Sequence, residues 1–160
     1  MKSSIALLVF FLLTSSCAIL PTSRDDIQKK LKKPLSEQLR PFSSDGCSKW
    51  PDGTKEHPNA WLVCCFNHDK AYWLGGTKKE KFKADERLRM CVKKNFSSSM
   101  SILMYLGVSA GGIPDYKTDY RWGYGWTYTR GYLKVSDKEK AYAVELLPKE
   151  GESMWKYIRK

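Results

Sequence analysis

The amino-acid sequence predicts a mainly α-helical, exported domain that is held together by disulfides. Two segments with helical spacing follow one another between residues 59 and 94, and a glycine pair separates them. An apolar segment at residues 5–13 precedes them, and four of the five cysteines lie after residue 17. An even number of cysteines downstream of an export signal is typical of disulfides formed in an oxidising compartment.

The first residues have the pattern of an export signal. Lys2 provides positive charge, and residues 5–13 form an apolar run that is too short for a bilayer span of about 20 residues. The small residues around Cys17 resemble a bacterial lipobox, so we interpret residues 1–17 as a lipoprotein-like signal peptide with Cys17 as the lipidated residue. Ordinary cleavage after Ala18 is the alternative. A lipidated protein is predicted to lie in the cell envelope, on the periplasmic side, where the outer membrane is one option. A protein without the lipid is predicted to be secreted.

The charge of the chain predicts its partners. There are 28 basic and 17 acidic residues, which gives a formal net charge of +11. This charge would draw an exported protein to anionic surfaces, and the expected partner is a phospholipid membrane surface rich in anionic lipids. Nucleic acid would fit the charge but not the location, so no nucleic-acid partner is predicted. A lysine-rich surface that only serves solubility is the simpler alternative.

We divide the rest of the chain into a tether and one domain. Residues 18–42 contain several lysines, are interrupted by Pro34 and have few large apolar residues, which predicts a basic tether or a short peripheral helix. Residues 43–160 have the length of a single domain whose modest core is supported by disulfides.

Two helices are predicted at the centre of this domain. The first begins near residue 59, ends at the glycines 75 and 76, and has one face with Trp61, Cys65, His68 and Tyr72. Thr77 and Glu80 form a capping box that begins the second helix, which extends to about residue 94. The side chains predicted to face inward from this second helix are Phe82, Asp85, Leu88 and Val92. Asp85 is therefore a carboxylate on an apolar face, where it needs a partner.

The C-terminal part is predicted from weaker patterns. An apolar stretch at residues 100–110 predicts a core helix or an interfacial segment. Aromatic and small residues alternate at residues 120–132, which predicts a short strand or extended hairpin. Its aromatic side chains are expected to pack in the core, and an acyl-chain groove is the alternative. Residues 137–148 predict a terminal amphipathic helix.

The chemistry of the chain centres on residues 64–69, in which two adjacent cysteines precede His68 and Asp69. A histidine can act as a general base, and an aspartate is a ligand of hard cations such as calcium. The chain has one other histidine, His57, which lies in a loop-like segment and is expected to be solvated. A histidine that activates water needs no nucleophilic serine, and the sequence has no G-x-S-x-G motif.

Zinc is the competing interpretation of this cluster. The candidate ligands would be Cys64, Cys65, His68 and Cys91. Their spacing disfavours zinc because adjacent cysteines on one helix cannot easily bind the same ion.

The four cysteines allow three pairings, and two of the possible bonds would assemble a site. A bond between Cys47 and Cys65 would bring Asp45 and the Gly46 carbonyl close to Asp69. These oxygen atoms could then surround one calcium ion.

A bond between Cys64 and Cys91 would clamp the second helix against the first. Asp85 could then meet His68, fix its tautomer and stabilise its protonated form.

Residues 64–72, Cys-Cys-Phe-Asn-His-Asp-Lys-Ala-Tyr, resemble the C-C-x-x-H-D-x-C-Y signature of secreted phospholipase A2. Residues 45–47, Asp-Gly-Cys, resemble the shortened calcium loop of the compact bacterial and fungal members. The resemblance covers residues 43–92. Ala71 stands where many animal members have cysteine, and the Y-G-x-G-C-G calcium loop is absent.

The resemblance implies a phospholipase A2-like core of two antiparallel helices linked by disulfides. The implied disulfides are Cys47–Cys65 and Cys64–Cys91. It also implies catalytic roles for His68 as the base, Asp85 as its partner and Tyr72 as a hydrogen-bonding support. The implied ligands of calcium are Asp45, Gly46 and Asp69.

The function implied by the resemblance is the calcium-dependent hydrolysis of an acyl ester of a glycerophospholipid by water that the histidine–aspartate site activates. The alternative is a non-catalytic envelope lipoprotein that binds anionic lipid or a protein partner through the same scaffold.

Overall fold

The computed structural model describes residues 23–159, which form six α-helices and one short 3-10 helix. They are α1 (Arg24–Leu31), α2 (Leu35–Gln38), α3 (Leu62–Leu74), α4 (Lys78–Asn95), α5 (Ser98–Gly111), α6 (Asp137–Leu146) and the 3-10 helix (Met154–Lys156). Within this range there is no β-strand, and sheet-like pairing is limited to two isolated bridges. The predicted mainly α-helical fold is confirmed. The proposed signal peptide and Cys17 lie outside the described residues.

The antiparallel helices α3 and α4 form the centre of the fold. The disulfide Cys64–Cys91 joins the first turn of α3 to the last turns of α4, so the two helices run in opposite directions. Gly75 ends α3 with a φ of 74°, and a Cβ there would lie 2.8 Å from the Cα of Gly123. Glycine is therefore needed both for the turn and for the close approach of the later segment.

The predicted capping box begins α4. The Thr77 hydroxyl accepts the backbone N–H of Glu80, and the Glu80 carboxylate accepts the backbone N–H of Thr77 at 2.7 Å. These two bonds satisfy backbone donors that the first turn of a helix cannot pair internally.

The buried face of α4 differs from the prediction at one position. Asp85, Leu88 and Val92 are buried as expected, but Phe82 is 48% exposed. Lys81 takes the inward position instead and is 3% exposed. Lys81 lies one helical turn before Asp85, so its ammonium group reaches the buried carboxylate, whereas Phe82 is rotated away from that face.

The largest core cluster joins α3 to segments from both ends of the domain. Phe66 and Trp73 of α3 pack with Leu39, Phe42 and Trp126. Residues that we placed in the tether are thus part of the folded core. The preceding helix α1 has no buried residue, as expected of a peripheral helix.

The aromatic segment at residues 120–132 does not form the predicted strand or hairpin. It consists of turns and one isolated bridge, between Trp126 and Leu39. Its backbone pairs with the end of α3 rather than with another strand, since the N–H groups of Gly123 and Gly125 donate to the carbonyls of Tyr72 and Trp73 at 2.6 and 2.9 Å.

Two indole groups of the aromatic segment also donate to carbonyls at the end of α3, so that the segment caps this helix. Trp126 Nε1 donates to the carbonyl of Leu74 at 2.6 Å, and Trp122 Nε1 donates to the carbonyl of Gly76 at 2.7 Å. The last carbonyls of a helix have no hydrogen-bond donors within the helix. The aromatic segment supplies donors for them. Alternation of aromatic and small residues here reflects packing on a helix end.

Helix α5 packs on α4 and leaves much of its apolar surface exposed. Its buried residues are Ser101 and Met104, whereas Ile102, Leu103 and Leu106 are each at least half exposed. The helix thus has features of both predicted options, because Met104 belongs to a core cluster and the opposite face is exposed. In the part of the chain that the structure describes, no helix is long and apolar enough to cross a membrane.

Candidate active site

His68 of α3 and Asp85 of α4 face one another across the contact between the two helices. His68 Nε2 lies 3.0 Å from Asp85 Oδ1, and the residues are 8% and 0% exposed. When the imidazole is neutral, a hydrogen on Nε2 is donated to the carboxylate and the lone pair remains on Nδ1. The carboxylate thereby fixes both the tautomer and the orientation of the ring.

Tyr72 supports this pair from one turn further along α3. Its hydroxyl donates to Asp85 Oδ1 at 2.7 Å, and its ring centroid lies 4.1 Å from that of His68. Burial and the neighbouring Asp85 charge raise the pKa of Tyr72, so the phenol stays protonated and remains a donor. The structure thus brings His68, Asp85 and Tyr72 together.

Lys81 is a member of the cluster that sequence reasoning missed. Its Nζ atom donates to Asp85 Oδ2 at 3.0 Å and to the carbonyls of Val108 and Ser109 at 3.2 and 3.4 Å. The signal that could have identified Lys81 is its spacing of four residues from a carboxylate on the buried face.

The electrostatics keep Asp85 ionised and His68 neutral. Burial alone would raise the pKa of Asp85, but hydrogen bonds from His68, Tyr72 and Lys81 and the Lys81 charge hold it below its usual range. Burial lowers the pKa of His68, and this effect outweighs the hydrogen bond and charge of Asp85, which raise it. A neutral imidazole beside an ionised carboxylate is the state that a general base requires.

The loop at residues 44–47 lies against α3 beside Asp69, the residue that follows His68. The disulfide Cys47–Cys65 attaches it there. The Ser44 hydroxyl donates to Asp69 Oδ2 at 2.6 Å, and the backbone of Asp45 also hydrogen-bonds to this carboxylate. Burial raises the pKa of Asp69 well above its usual value, and the Asp45 charge raises it further.

Two further contacts fix the shape of this loop. Gly46 has a φ of 79°, and a Cβ there would lie 2.5 Å from Asp52 Oδ1. The same Asp52 oxygen accepts the backbone N–H of Cys47 at 3.0 Å. Glycine is thus required at residue 46 for the backbone conformation and for space.

The C-terminal residues pair with this loop. The Ser44 N–H donates to the carbonyl of Tyr157 at 2.9 Å, and the Arg159 N–H donates to the carbonyl of Ser44 at 2.7 Å. No sequence pattern links residues so far apart, so this support for the Asp69 region was not predicted.

The disulfides are the two that the resemblance implied, Cys47–Cys65 and Cys64–Cys91. The three cysteines of the zinc interpretation, Cys64, Cys65 and Cys91, are therefore all bonded to sulfur, which rules out that interpretation. His57, the other histidine, is exposed in the loop before α3 as expected.

The predicted calcium ligands are close together and are chemically suitable. Asp45, Gly46 and Asp69 line one cavity, and their carboxylate and carbonyl oxygens are donors that calcium accepts. A cation would also offset the cost of burying the Asp69 carboxylate. Among residues 23–159, no three His, Cys, Asp or Glu side chains are grouped to hold a metal ion. Backbone carbonyls and water would therefore have to complete a shell of about 6 to 8 oxygens.

An apolar cavity of about 440 Å³ opens beside His68 and Asp69. The wall contributed by α5 consists of Leu103, Met104, Leu106, Gly107, Val108 and Gly111. Trp50, Tyr120 and Tyr124 also line the cavity, so two members of the aromatic segment contribute to it. An apolar cleft with a few polar groups at one side is the usual form of a site for a small or elongated apolar ligand.

Comparisons of the chain with protein-family models, with curated proteins and with solved structures found no match. The phospholipase A2 resemblance therefore depends on the short motifs at residues 45–47 and 64–72, and it stays a hypothesis.

Proposed function

We propose that this protein is a calcium-dependent, phospholipase A2-like hydrolase that releases a fatty acid from a glycerophospholipid. The observation that carries the proposal is the buried His68–Asp85 pair at the side of an apolar cavity, with the Asp69 carboxylate next to it. The pair supplies a base, the cavity is suited to an acyl chain, and Asp69 with the loop at residues 44–47 would hold calcium.

In this reaction His68 Nδ1 takes a proton from a water molecule whose oxygen attacks the acyl carbon. Asp85 stabilises the imidazolium that forms, and Tyr72 keeps the carboxylate in place. The bond between the acyl carbon and the glycerol oxygen then breaks, and the imidazolium returns the proton to the leaving alcohol. When bound, calcium would polarise the ester carbonyl and stabilise negative charge on its oxygen.

The surface around the cavity supports a membrane as the place of the reaction. Trp50, Leu103 and Leu106 line the cavity and are between 39% and 59% exposed. Exposed apolar side chains at the mouth of an apolar cavity would enter a lipid surface, and the net charge of +11 would favour anionic lipid.

The test compares the two histidines of the chain. Replacing His68 with Gln should abolish fatty-acid release from phospholipid vesicles while the circular dichroism spectrum and urea midpoint stay close to wild type. Replacing the exposed His57 with Gln is the matched control and should leave release unchanged. Full activity in the His68→Gln variant would refute the assignment.

A non-catalytic lipid-binding protein is the second candidate. The observation that favours it is that Asp69 already has hydrogen-bond partners in Ser44 and the backbone of Asp45. Vesicle binding that needs no calcium, decreases steeply with salt and releases no fatty acid would support this candidate over the hydrolase.

A further inference from the structure

Lys81 is a buried cation next to the candidate catalytic pair, at a position where no role had been assigned. We propose that Lys81 is a positioning residue that supplies the counter-charge of Asp85 and ties the cavity wall formed by α5 to the same carboxylate. Its effect on hydrolysis rests on the proposed function, whereas the coupling between Lys81, Asp85 and α5 can be measured without it.

The first support is a closed ring of contacts among three helices. Lys81 Nζ lies 3.0 Å from Asp85 Oδ2 and 3.2 Å from the carbonyl of Val108. The Tyr72 hydroxyl lies 2.7 Å from Asp85 Oδ1 and 3.2 Å from the same Val108 carbonyl. Lys81 therefore donates to both the carboxylate and the α5 carbonyl, whereas the single hydroxyl hydrogen of Tyr72 goes to the nearer carboxylate and its oxygen contacts the same carbonyl.

The second support is that this environment matches an ammonium group. A lysine has three N–H donors, and Lys81 has three acceptors in Asp85, Val108 and Ser109. The two carbonyls lie in the last turn of α5, where the helix dipole favours a positive charge. At 3% exposure the charge would be costly without these partners, so its burial is explained by the carboxylate and the helix end together.

The third support is the close packing of the α5 end on Tyr72. Gly112 follows α5, and a Cβ there would overlap the Tyr72 ring. Val108 and Gly112 also line the cavity. The position of this wall is thus set by contacts to Tyr72 and Lys81, the two residues that hold Asp85. A shift of the Lys81 contact should move the cavity wall and the carboxylate together.

The experiment uses Lys81→Met, Lys81→Arg and, as the matched control, Lys83→Met on the exposed side of α4. Lys81→Met should lower kcat about tenfold to a hundredfold per folded molecule, because small displacements of a catalytic group have effects of this size. KM should change less than kcat, because the apolar side chains that line the cavity are all retained. Lys81→Arg should restore part of kcat, because a guanidinium also donates to a carboxylate. Lys83→Met should behave as wild type.

A second readout does not depend on activity. The Gly112 N–H donates to the Val108 carbonyl at 3.1 Å, so its hydrogen exchange reports the order of the α5 end. We expect faster exchange at Gly112 in Lys81→Met and wild-type exchange in Lys83→Met. If the wild-type protein releases no fatty acid, the proposed function fails, and this measurement still decides the coupling.

The outcomes that would overturn the inference are specific. One is a folded Lys81→Met variant with wild-type kcat and wild-type Gly112 exchange. Another is a loss of activity that the unfolded fraction explains in full, because the ion pair of Lys81 with Asp85 would then serve stability alone. If Lys81→Met does not fold, the Lys81→Met/Asp85→Asn double variant removes both charges. The inference requires this double variant to fold, because it leaves no unpaired buried charge, and a double variant that is also unfolded would contradict the inference.

Discussion

His68 Nε2 lies 3.0 Å from Asp85 Oδ1, and the same carboxylate accepts hydrogen bonds from Tyr72 and Lys81. Three donors thus hold one buried anion across α3 and α4. The arrangement leaves the lone pair of His68 on Nδ1, and in the proposed reaction this nitrogen acts on water while the ionised Asp85 stabilises the imidazolium.

Replacing Asp85 with Asn should lower fatty-acid release by about 10²- to 10⁴-fold, the usual contribution of assisted proton transfer. The amide cannot stabilise the imidazolium by charge and leaves Lys81 without its counter-ion. The measurement is kcat per folded molecule, with urea denaturation to define the folded fraction. Asp25→Asn on the exposed α1 is the control and should retain the wild-type rate. A wild-type rate in folded Asp85→Asn would remove this residue from the mechanism.

Removal of the disulfide Cys64–Cys91 should lower the free energy of unfolding by about 3 to 4 kcal/mol, as expected for the closure of a loop of this length. The bond spans 27 residues and joins α3 to α4 at the end of the helix pair opposite the connecting glycines. Urea denaturation of the Cys64→Ala/Cys91→Ala variant measures the loss. An unchanged midpoint would mean that packing alone holds α3 against α4.

Removal of the other disulfide should have a different functional result. The bond Cys47–Cys65 spans 18 residues and attaches the loop that carries Asp45 and Gly46. The Cys47→Ala/Cys65→Ala variant should lose about 3 kcal/mol of stability. It should also need more calcium for half-maximal fatty-acid release than Cys64→Ala/Cys91→Ala at the same folded fraction. Equal calcium requirements in the two variants would show that the loop is not part of the calcium site.

The salt bridge between Arg130 and Glu139 should make stability depend on pH. Arg130 Nη1 lies 2.8 Å from Glu139 Oε1, and both side chains are buried. Burial alone would raise the pKa of Glu139, but Arg130 and the Ser136 cap hold it below its usual range. A lowered folded-state pKa contributes stability above the unfolded-state pKa, and this contribution is lost as the pH falls through the folded-state value.

Glu139→Gln should therefore cost about 3 kcal/mol at pH 7, near the lower end of the range for breaking a buried pair. The difference from wild type should shrink below about pH 4.3, the ordinary pKa of glutamate. Urea denaturation across this pH range measures both effects. The exposed Glu150 supplies the control substitution, Glu150→Gln, and a difference for Glu139→Gln that stays constant with pH would contradict the assignment.

The cap on α3 can be tested at Trp126. Trp126→Phe removes the donor to the partly buried Leu74 carbonyl, and loss of this hydrogen bond should cost about 1 to 3 kcal/mol. Trp155→Phe is the matched control, because Trp155 is 56% exposed, and it should change stability by less than about 0.5 kcal/mol. Equal urea midpoints for the two variants would show that the indole does not serve as a cap.

The parts of the structure that were predictable from sequence have local causes. The ends of α3 and α4 follow from the glycine pair after Leu74 and from the capping box of Thr77 and Glu80, which act within a few residues. The face that carries His68 and Tyr72 follows from helical spacing. Such signals do not depend on the rest of the fold.

The predictions that were wrong concern residues whose surroundings are formed by segments distant in the sequence. Phe82 was placed inward because it is apolar, but the inward position belongs to Lys81, whose charge is satisfied by Asp85 and by the end of α5. The aromatic segment was predicted as a strand because aromatic and small residues alternate in it. Its backbone partner is the end of α3, which its own sequence does not indicate. The pairing of Ser44 with Tyr157 joins residues whose proximity exists only in the folded chain.

The most direct measurement is fatty-acid release by the purified protein from mixed phosphatidylglycerol and phosphatidylethanolamine vesicles, in calcium and in chelator. We predict release that requires calcium and that disappears in the His68→Gln variant. No release from the folded, disulfide-bonded protein in calcium would contradict the hydrolase and leave lipid binding as the function to test.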